Sequence, residues 1–312
     1  AVIRGKICSS YTKKGGSSVD YFKERLILIH HCRGVGWKSI LKILQEDPLL
    51  DNLLNKTLED WKIILPRLTN SQLSLFYNDL HSIDISQKIK LYKENKIEMI
   101  TFFDEEYPTR LKRIFDPPWV IYAKGNIRLM NQKKILAVVG VRLPSQYGID
   151  ALNQIIPPII KDGYIIVSGL AAGIDTRAHL LSIQNDGKTI GVIGGGLFHI
   201  YPKENTPLSL KMMKEHLVIS ETVPFRKSEP WMFPQRNRII SGLSDGVLII
   251  EAKARSDSLI TAYQALEHGR EVFALHGNIT SPNSRGTNEL IQEGAKMVLS
   301  YNDIISEFKN DR

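Results

Sequence analysis

Apolar side chains recur at intervals of three and four in the first part of the chain, which is the repeat of an amphipathic helix. Five stretches show this repeat: DYFKERLILIHHC, GWKSILKILQED, TLEDWKIIL, SQLSLFYNDL and DISQKIKLYKENK. We therefore expect a small all-α domain over residues 20–96.

A glycine turn, Gly34-x-Gly36, joins the first two of these helices. The pattern resembles a helix-hairpin-helix or SAM-like domain, in which the amides of the turn and of the following helix can hold a phosphate. The alternative is that the two glycines only permit a tight turn between helices.

Continuous apolar runs rich in β-branched residues begin at residue 97 and then alternate with helical patterns. The runs are IEMITF, WVIYAKG, ILAVVG, YIIVSG, TIGVIGG, LVISE, DGVLIIEA, EVFAL and KMVLS. They predict an α/β domain over residues 97–312, with a mostly parallel sheet covered by helices on both faces. Pro157 and Pro158 lie in the first crossover helix, which we expect to be broken or kinked there.

Charge is distributed unevenly along the chain, whose formal net charge is +8. Residues 1–96 hold 16 Lys and Arg against 10 Asp and Glu, whereas residues 97–312 hold 25 against 23. A site for a polyanion in the second part must therefore be a local cluster of basic residues.

The cellular compartment is indicated by the cysteines and by the apolar runs. Cys8 and Cys32 are too few for a disulfide framework, which favours the reducing cytoplasm. No apolar run approaches the roughly 18 residues of a membrane span. Residues 1–19 lack a signal-peptide core, and we expect a flexible basic leader there, either native or left by an expression vector.

Glycines and polar residues follow the predicted strands, at the edge where parallel sheets bind ligands. Glycine lets backbone amides approach an anion, and each following helix adds its positive end. The segment FPQRNRIISG adds two arginines beside an aromatic residue. Each loop alone could serve only tight packing, but together they predict an anionic ligand. Neither G-x-x-x-x-G-K-[ST] nor a full G-x-G-x-x-G with its acidic partner is present, which argues against NTP and dinucleotide sites.

A specific resemblance is carried by the order of six motifs. They are VVGVR, SGLAAGIDTRAH, GVIGGG with YPKEN, FPQRNRIISGLSDGVLIIEA, SDSLITAYQALEHGREVFALHG and SRGTNELIQEGA. Their order resembles the DNA-processing protein A family (DprA, also called Smf) over about residues 97–300, most specifically over residues 233–295.

This resemblance implies a function without catalysis, cofactor or metal. The family binds single-stranded DNA with an extended Rossmann fold, protects the incoming strand, dimerises and loads the recombinase RecA during natural transformation. Glycine loops would donate amides, basic side chains would neutralise phosphates and Phe233 would stack on a base. The implied DNA-binding residues are Gly140, Arg142, Ser168, Gly169, Gly173, Gly194, Gly196, Lys203, Asn205, Phe233, Arg236, Asn237, Arg238, Ser241 and Arg255.

The resemblance also assigns two protein contacts near the end of the chain. It implies a dimer contact through Asn288, Ile291 and Met297, and a RecA contact through Leu266 and Gln292. The alternative for Ile291 and Met297 is an ordinary place in the core.

Several positions depart from the family pattern. Val141 replaces a serine between Gly140 and Arg142, and Ala172 replaces an arginine. Phe198 and His199 stand where an aspartate and a small apolar residue are frequent. Many members continue into a C-terminal winged helix, which we expect to be absent because the sequence ends soon after the last strand.

Three groups of residues invite a catalytic or metal-binding interpretation. Asp175 and His179, four apart on one helix, could be an acid–base pair, although a hydrogen bond on the helix face or an interaction with the N-terminal helix dipole is the better explanation. Glu251 ends a strand where phosphoribohydrolases carry a catalytic loop, but the glycine-rich PGGxGTxxE pattern is missing. His30 and His31 are adjacent and therefore point in different directions, which favours packing over a metal site.

Three functions remain open from the sequence. A single-stranded DNA-binding protein is the preferred one, with low base specificity because stacking and phosphate contacts do not read base edges. A phosphoribohydrolase-like nucleotide enzyme would release base from nucleoside monophosphates. A protein–protein adaptor would rest on the helical N-terminal domain.

Overall fold

The computed structural model describes residues 16–310, and it divides the chain into two compact units. The first holds the described residues up to Glu105 together with Pro118–Ile121, and the second holds Glu106–Pro117 and the rest of the chain. Most of the predicted leader, residues 1–15, lies outside the described residues, as does Cys8. The last four residues assigned to that leader belong to the first helix.

The first unit contains five helices and one short strand. The elements are α1 (Gly16–His31), α2 (Trp37–Glu46), α3 (Leu58–Ile64), α4 (Asn70–Ser82), α5 (Ile85–Glu94) and β1 (Glu98–Thr101). Thr57 and Thr69 start α3 and α4 with capping boxes, in which each hydroxyl accepts a backbone N–H three residues on. Trp61 and Phe76 pack edge to face in the core, with ring centroids 5.1 Å apart.

The turn between α1 and α2 is built for close packing. Gly34 has φ +80°, and a Cβ there would lie 3.2 Å from the Cα of Gln72 at the start of α4. Only glycine combines this backbone conformation with such an approach. His31, whose neighbourhood could have suggested a metal, bonds through Nδ1 to the carbonyl of Ile27 and through Nε2 to the hydroxyl of Tyr92.

Eight further strands follow, of which β2 has its first two residues in the first unit and the others lie in the second. They are β2 (Val120–Gly125), β3 (Ile135–Val139), β4 (Ile165–Ser168), β5 (Thr189–Val192), β6 (Leu217–Ser220), β7 (Gly246–Ile249), β8 (Glu271–Leu275) and β9 (Lys296–Val298). Their order is β2-β6-β5-β4-β3-β7-β8-β9, and β1 flanks the start of β2. All pairs from β6 to β9 are parallel, whereas β2 runs antiparallel to β6.

Among the described residues, six α-helices connect the strands from β3 to β9, and a seventh follows β9. They are α6 (Gln146–Lys161), α7 (Ile174–Gln184), α8 (Thr206–Glu215), α9 (Met232–Leu243), α10 (Asp257–Glu267), α11 (Arg285–Gln292) and α12 (Tyr301–Asn310). All five residues of β3 are buried, because helices cover both faces of the central strands. The predicted fold class, a mostly parallel Rossmann-like sheet after a helical region, is confirmed.

The predicted break in α6 was wrong, since the helix continues through Pro157 and Pro158. Each proline lacks the N–H that would bond the carbonyl four residues earlier. Those carbonyls belong to Asn153 and Gln154, which are exposed. Water can therefore solvate the freed carbonyl groups while the opposite, apolar face stays packed.

Within residues 16–310, no helix combines the length and apolar character needed to cross a membrane.

Candidate nucleic-acid interface

A cavity of about 140 Å³ opens where β3, β4 and β5 end. The loops after these strands contribute Gly140, Arg142, Gly169 and Tyr201, and α9 supplies the opposite wall. On α9 the contributing residues are Phe233, Arg236, Asn237 and Ile240, which share one helix face because they follow the i, i+3, i+4, i+7 spacing. Asp257, Ser258 and Thr261 of α10 complete the lining.

Arg236 is held at the back of the cavity by backbone carbonyls. Its Nη1 donates to the carbonyl of Gly169 at 2.6 Å and also to the carbonyl of Val192. A Cβ on Gly169 would lie 2.7 Å from both Arg236 Nη2 and Asp175 Oδ2, so only glycine fits between them. Arg236 is thus a fixed, almost fully buried positive charge beneath the strand ends.

Asp175 is the counter-charge of this arginine. Its Oδ2 accepts the N–H of Gly169 at 3.1 Å. Burial raises the pKa of the Asp175 carboxyl to about 6, although the positive charge of Arg236 opposes that rise. Burial likewise lowers the pKa of Arg236 to about 10, against the attraction of Asp175 and Asp257. Charge in the cavity therefore depends on whether Asp175 is protonated.

Two aromatic rings stand beside the arginine. Phe233 is partly exposed, and its ring lies 6.0 Å from the Arg236 guanidinium carbon and 5.7 Å from the ring of Tyr201. Tyr201 is 54% exposed. Flat apolar faces next to a cation are the combination on which unpaired bases stack.

The structure brings six of the fifteen predicted DNA-binding residues together in this cavity. They are Gly140, Arg142, Gly169, Phe233, Arg236 and Asn237. Gly194 lies directly behind them, since a Cβ there would be 3.2 Å from the ring of Phe233. Lys203 and Arg255 are exposed but do not line the cavity.

Four other predicted residues hold the loops in place. Ser168 is buried and donates its hydroxyl to the carbonyl of Val138. Asn205 donates to the carbonyl of Leu170 and to Thr176. Gly173, with φ +82°, begins α7 against the loop after β3, and Gly196 packs under the backbone of residues 223 and 224.

Arg238 and Ser241 lie away from the cavity on α9. The guanidinium of Arg238 is 4% exposed and pairs with Glu221 at 2.7 Å and with Asp116 at 3.1 Å. Ser241 is fully buried, and its hydroxyl bonds to Nδ1 of His268 at 3.0 Å. In this arrangement neither side chain is available to a phosphate.

Asp175 and His179 do not form an acid–base pair. His179 is fully buried, its Nδ1 bonds to Thr189, and burial lowers its pKa to about 3. Glu251 is 1% exposed and accepts both the N–H and the hydroxyl of Ser145, so it caps α6. Asp175, in the first turn of α7, accepts the N–H of Gly169, in agreement with the preferred interaction at a helix N-terminus.

Tyr201 and Asp257 are among the cavity residues that sequence reasoning missed. Tyr201 lies in the YPKEN motif, in which only Lys203 and Asn205 were predicted to bind DNA. Asp257 pairs with Arg142 at 3.7 Å. An acidic residue two positions after Arg255 was a detectable signal, but its partner lies 115 residues earlier.

The residues assigned to protein contacts are mostly on the surface. Leu266 is 55% exposed and Met297 is 47% exposed, whereas Ile291 is partly buried. Asn288 exchanges two hydrogen bonds with the backbone of Gly277.

Comparison with known proteins decides the family. The sequence model of the family described as DNA recombination-mediator protein A matches residues 98–309. The chain belongs to this family.

Similar proteins include DNA processing protein DprA of Bacillus subtilis, 49% identical over 69% of this chain and 73% of that protein. DprA of Streptococcus pneumoniae is 46% identical over 69% of this chain and 75% of that protein. A solved structure of DprA from Streptococcus pneumoniae superposes with a TM-score of 0.77 at 38% identity, covering 94% of this chain and 98% of that one.

A solved structure of DNA processing protein A from Helicobacter pylori is also similar to this chain. It has a TM-score of 0.62 and 27% identity, and the match covers 69% of this chain and 97% of that one. That structure addresses a single-stranded DNA binding mode of DNA processing protein A.

Proposed function

We propose that this protein binds single-stranded DNA in the cavity at the ends of β3, β4 and β5. The observation that carries the proposal is the juxtaposition of an exposed arginine, a buried arginine and two partly exposed rings. Arg142 would neutralise a phosphate, Arg236 would keep the floor of the cavity positive, and Phe233 and Tyr201 would stack on unpaired bases.

The proposal includes selectivity for single strands. Paired bases cannot turn a face to Phe233 or Tyr201, so a duplex would offer only its phosphates. Sequence preference within this cavity should be low, because ring faces and backbone amides accept any base.

Family membership supports a proposal for the biological role. We infer that the protein protects single-stranded DNA and loads RecA during natural transformation, in the cytoplasm and without catalysis. The exposed Leu266 with Gln292 would contact RecA, and Asn288, Ile291 and Met297 would form a homodimer contact. The division into residues 20–96 and 97–312 is likewise proposed to separate a helical accessory domain from the DNA-binding domain.

A gel shift with a short oligothymidylate tests the proposal. We expect the complex with the single strand to persist at higher salt concentrations than the complex with a duplex of equal length. A parallel assay for base release from nucleoside monophosphates tests the absence of catalysis. Base release that disappears in Asp175→Ala would contradict the proposal.

A further inference from the structure

A second cavity, of about 410 Å³, lies where β7 and β8 end. Its wall includes Ser145 and Tyr147 at the start of α6, Glu251 after β7, and His276, Asn278 and Ser284 after β8. The volume is within the range of small-molecule sites. In the sheet β3 lies between β4 and β7, and the chain builds outward from β3 in one direction through β4 and later in the other through β7. The cavity lies beside this switch point between β3 and β7, where open α/β sheets bind ligands.

The chemistry of this cavity is set by Glu251. Its carboxylate accepts the N–H of Ser145 at 2.8 Å and the hydroxyl of Ser145 at 2.6 Å. A Cβ on Gly148, in the first turn of α6, would be 2.9 Å from the carboxyl carbon. An internal carboxylate therefore occupies the N-terminus of a 16-residue helix, the place where such folds usually hold a ligand phosphate.

Because Glu251 fills the N-terminus of α6, the second cavity excludes phosphate groups and favours neutral groups with hydrogen-bond donors. A phosphate would meet a carboxylate at short range and find the helix N-terminus already filled. Glu251 is 1% exposed but lies in the cavity wall, and each of its carboxylate oxygens accepts one hydrogen bond from Ser145 and keeps a lone pair for a donor that enters the cavity. The ring of Tyr147, also in the wall, is 44% exposed. A neutral flat group with hydrogen-bond donors therefore fits instead. Cytosine and adenine present such donors on their exocyclic amino groups, whereas thymine presents a carbonyl in the corresponding position.

The two cavities share one loop. Gly140 and Arg142 line the first cavity, and Ser145 and Tyr147 line the second. Two residues separate Arg142 from Ser145, so their Cα atoms are at most about 11 Å apart. A strand whose phosphate contacts Arg142 is thus close enough to place a neighbouring base in the second cavity.

We propose that the second cavity takes one nucleobase of the bound strand and prefers an amino-bearing base over thymine. The inference rests on the proposed single-stranded DNA binding. It adds a base-selective subsite to a first cavity that reads no base edge.

Fluorescence anisotropy at pH 8 with oligodeoxycytidylate, oligothymidylate and an abasic strand of equal length tests the subsite. We expect the wild-type protein to bind oligodeoxycytidylate roughly fivefold more tightly than oligothymidylate, within the range of a base-edge contact. Tyr147→Ala should remove this preference and leave the affinity for the abasic strand unchanged. Tyr263→Ala, which removes an equally exposed tyrosine outside both cavities, should keep the preference.

Glu251→Gln provides a second variant, checked for folding by thermal melting, because its amide can also donate to thymine. Glu251→Gln should reduce the difference in affinity between oligodeoxycytidylate and oligothymidylate. Equal wild-type affinities for the two strands, or a preference that survives both Tyr147→Ala and Glu251→Gln, would overturn the subsite alone. Failure of every strand to bind would overturn the proposed function as well.

Discussion

Arg142 and Asp257 form an ion pair in the wall of the first cavity, with 3.7 Å between Nη2 and Oδ2 and with both side chains more than half exposed. An exposed pair of this kind contributes little stability, because water and salt screen it. The contact nevertheless places the carboxylate of Asp257 against the guanidinium of Arg142, where a phosphate would bind. A strand has to displace this carboxylate, so Asp257 competes with DNA.

Asp257→Asn should consequently bind single strands more tightly. Removing an exposed ion pair corresponds to about 0.2–1 kcal/mol, which is up to roughly fivefold in affinity. Anisotropy titrations at low salt would measure it. Asp150→Asn, on the exposed side of α6, controls for the change in net charge. Weaker binding by Asp257→Asn alone would show that the carboxylate helps to position the strand.

Phe233→Ala should weaken binding through lost stacking. We expect a loss of about 1–3 kcal/mol for a single strand with the salt dependence unchanged, because no charge is removed. Duplex binding should suffer less, since paired bases do not stack on the ring. Circular dichroism and melting would establish that the variant is folded. A folded variant with wild-type affinity would exclude the stacking role.

Arg238→Ala should mainly lower the free energy of unfolding and should affect DNA binding less. The change leaves the carboxylates of Glu221 and Asp116 without the guanidinium that now bridges them. Breaking such a partly buried network costs on the order of 3 kcal/mol in the free energy of unfolding. Urea denaturation would measure this loss. A fully stable variant that has lost DNA affinity would instead make Arg238 a phosphate contact.

The pH dependence of binding should follow Asp175, whose pKa is raised to about 6 by burial. Below that pH the carboxyl is neutral and the cavity more positive, so affinity should rise as pH falls from 7 to 5. Because the folded state holds this proton more tightly than the unfolded chain, the stability contributed by Asp175 is lost as pH rises from about 4 to 6.

Asp175→Asn isolates this group from other titrating side chains. The variant should lose most of the rise in affinity between pH 7 and pH 5, measured by anisotropy at constant ionic strength. An unchanged pH profile in Asp175→Asn would assign the effect to other groups.

The strands could be predicted from the sequence because buried parallel strands are apolar throughout, as all five residues of β3 show. The position of the ligand-binding loops could also be predicted, because the carboxyl ends of parallel strands lie at one edge of the sheet. The direction in which each side chain points could not be predicted from the sequence. Arg236 and Arg238 are two letters apart, yet a helix turns by about 200° over two residues. One arginine therefore faces the cavity and the other faces Glu221.

Contacts between loops that are far apart in the sequence could not be predicted either. Asp257 meets Arg142 and Glu251 meets Ser145 because β3 and β7 are neighbours, although more than a hundred residues separate them along the chain. Strand order is decided by packing of the whole sheet, which local patterns do not encode. Pro157 and Pro158 show the same limit, because their effect on α6 depends on which face meets solvent.

Salt dependence of single-strand binding by Arg142→Ala tests the central claim most directly. If Arg142 neutralises a phosphate, the slope of log affinity against log salt should fall in magnitude by about 0.7. The exposed position of Arg142 implies that thermal stability stays at the wild-type value. Lys161→Ala, which removes an exposed positive charge at the far end of α6, should keep the wild-type slope. A wild-type slope in Arg142→Ala would contradict phosphate binding in this cavity.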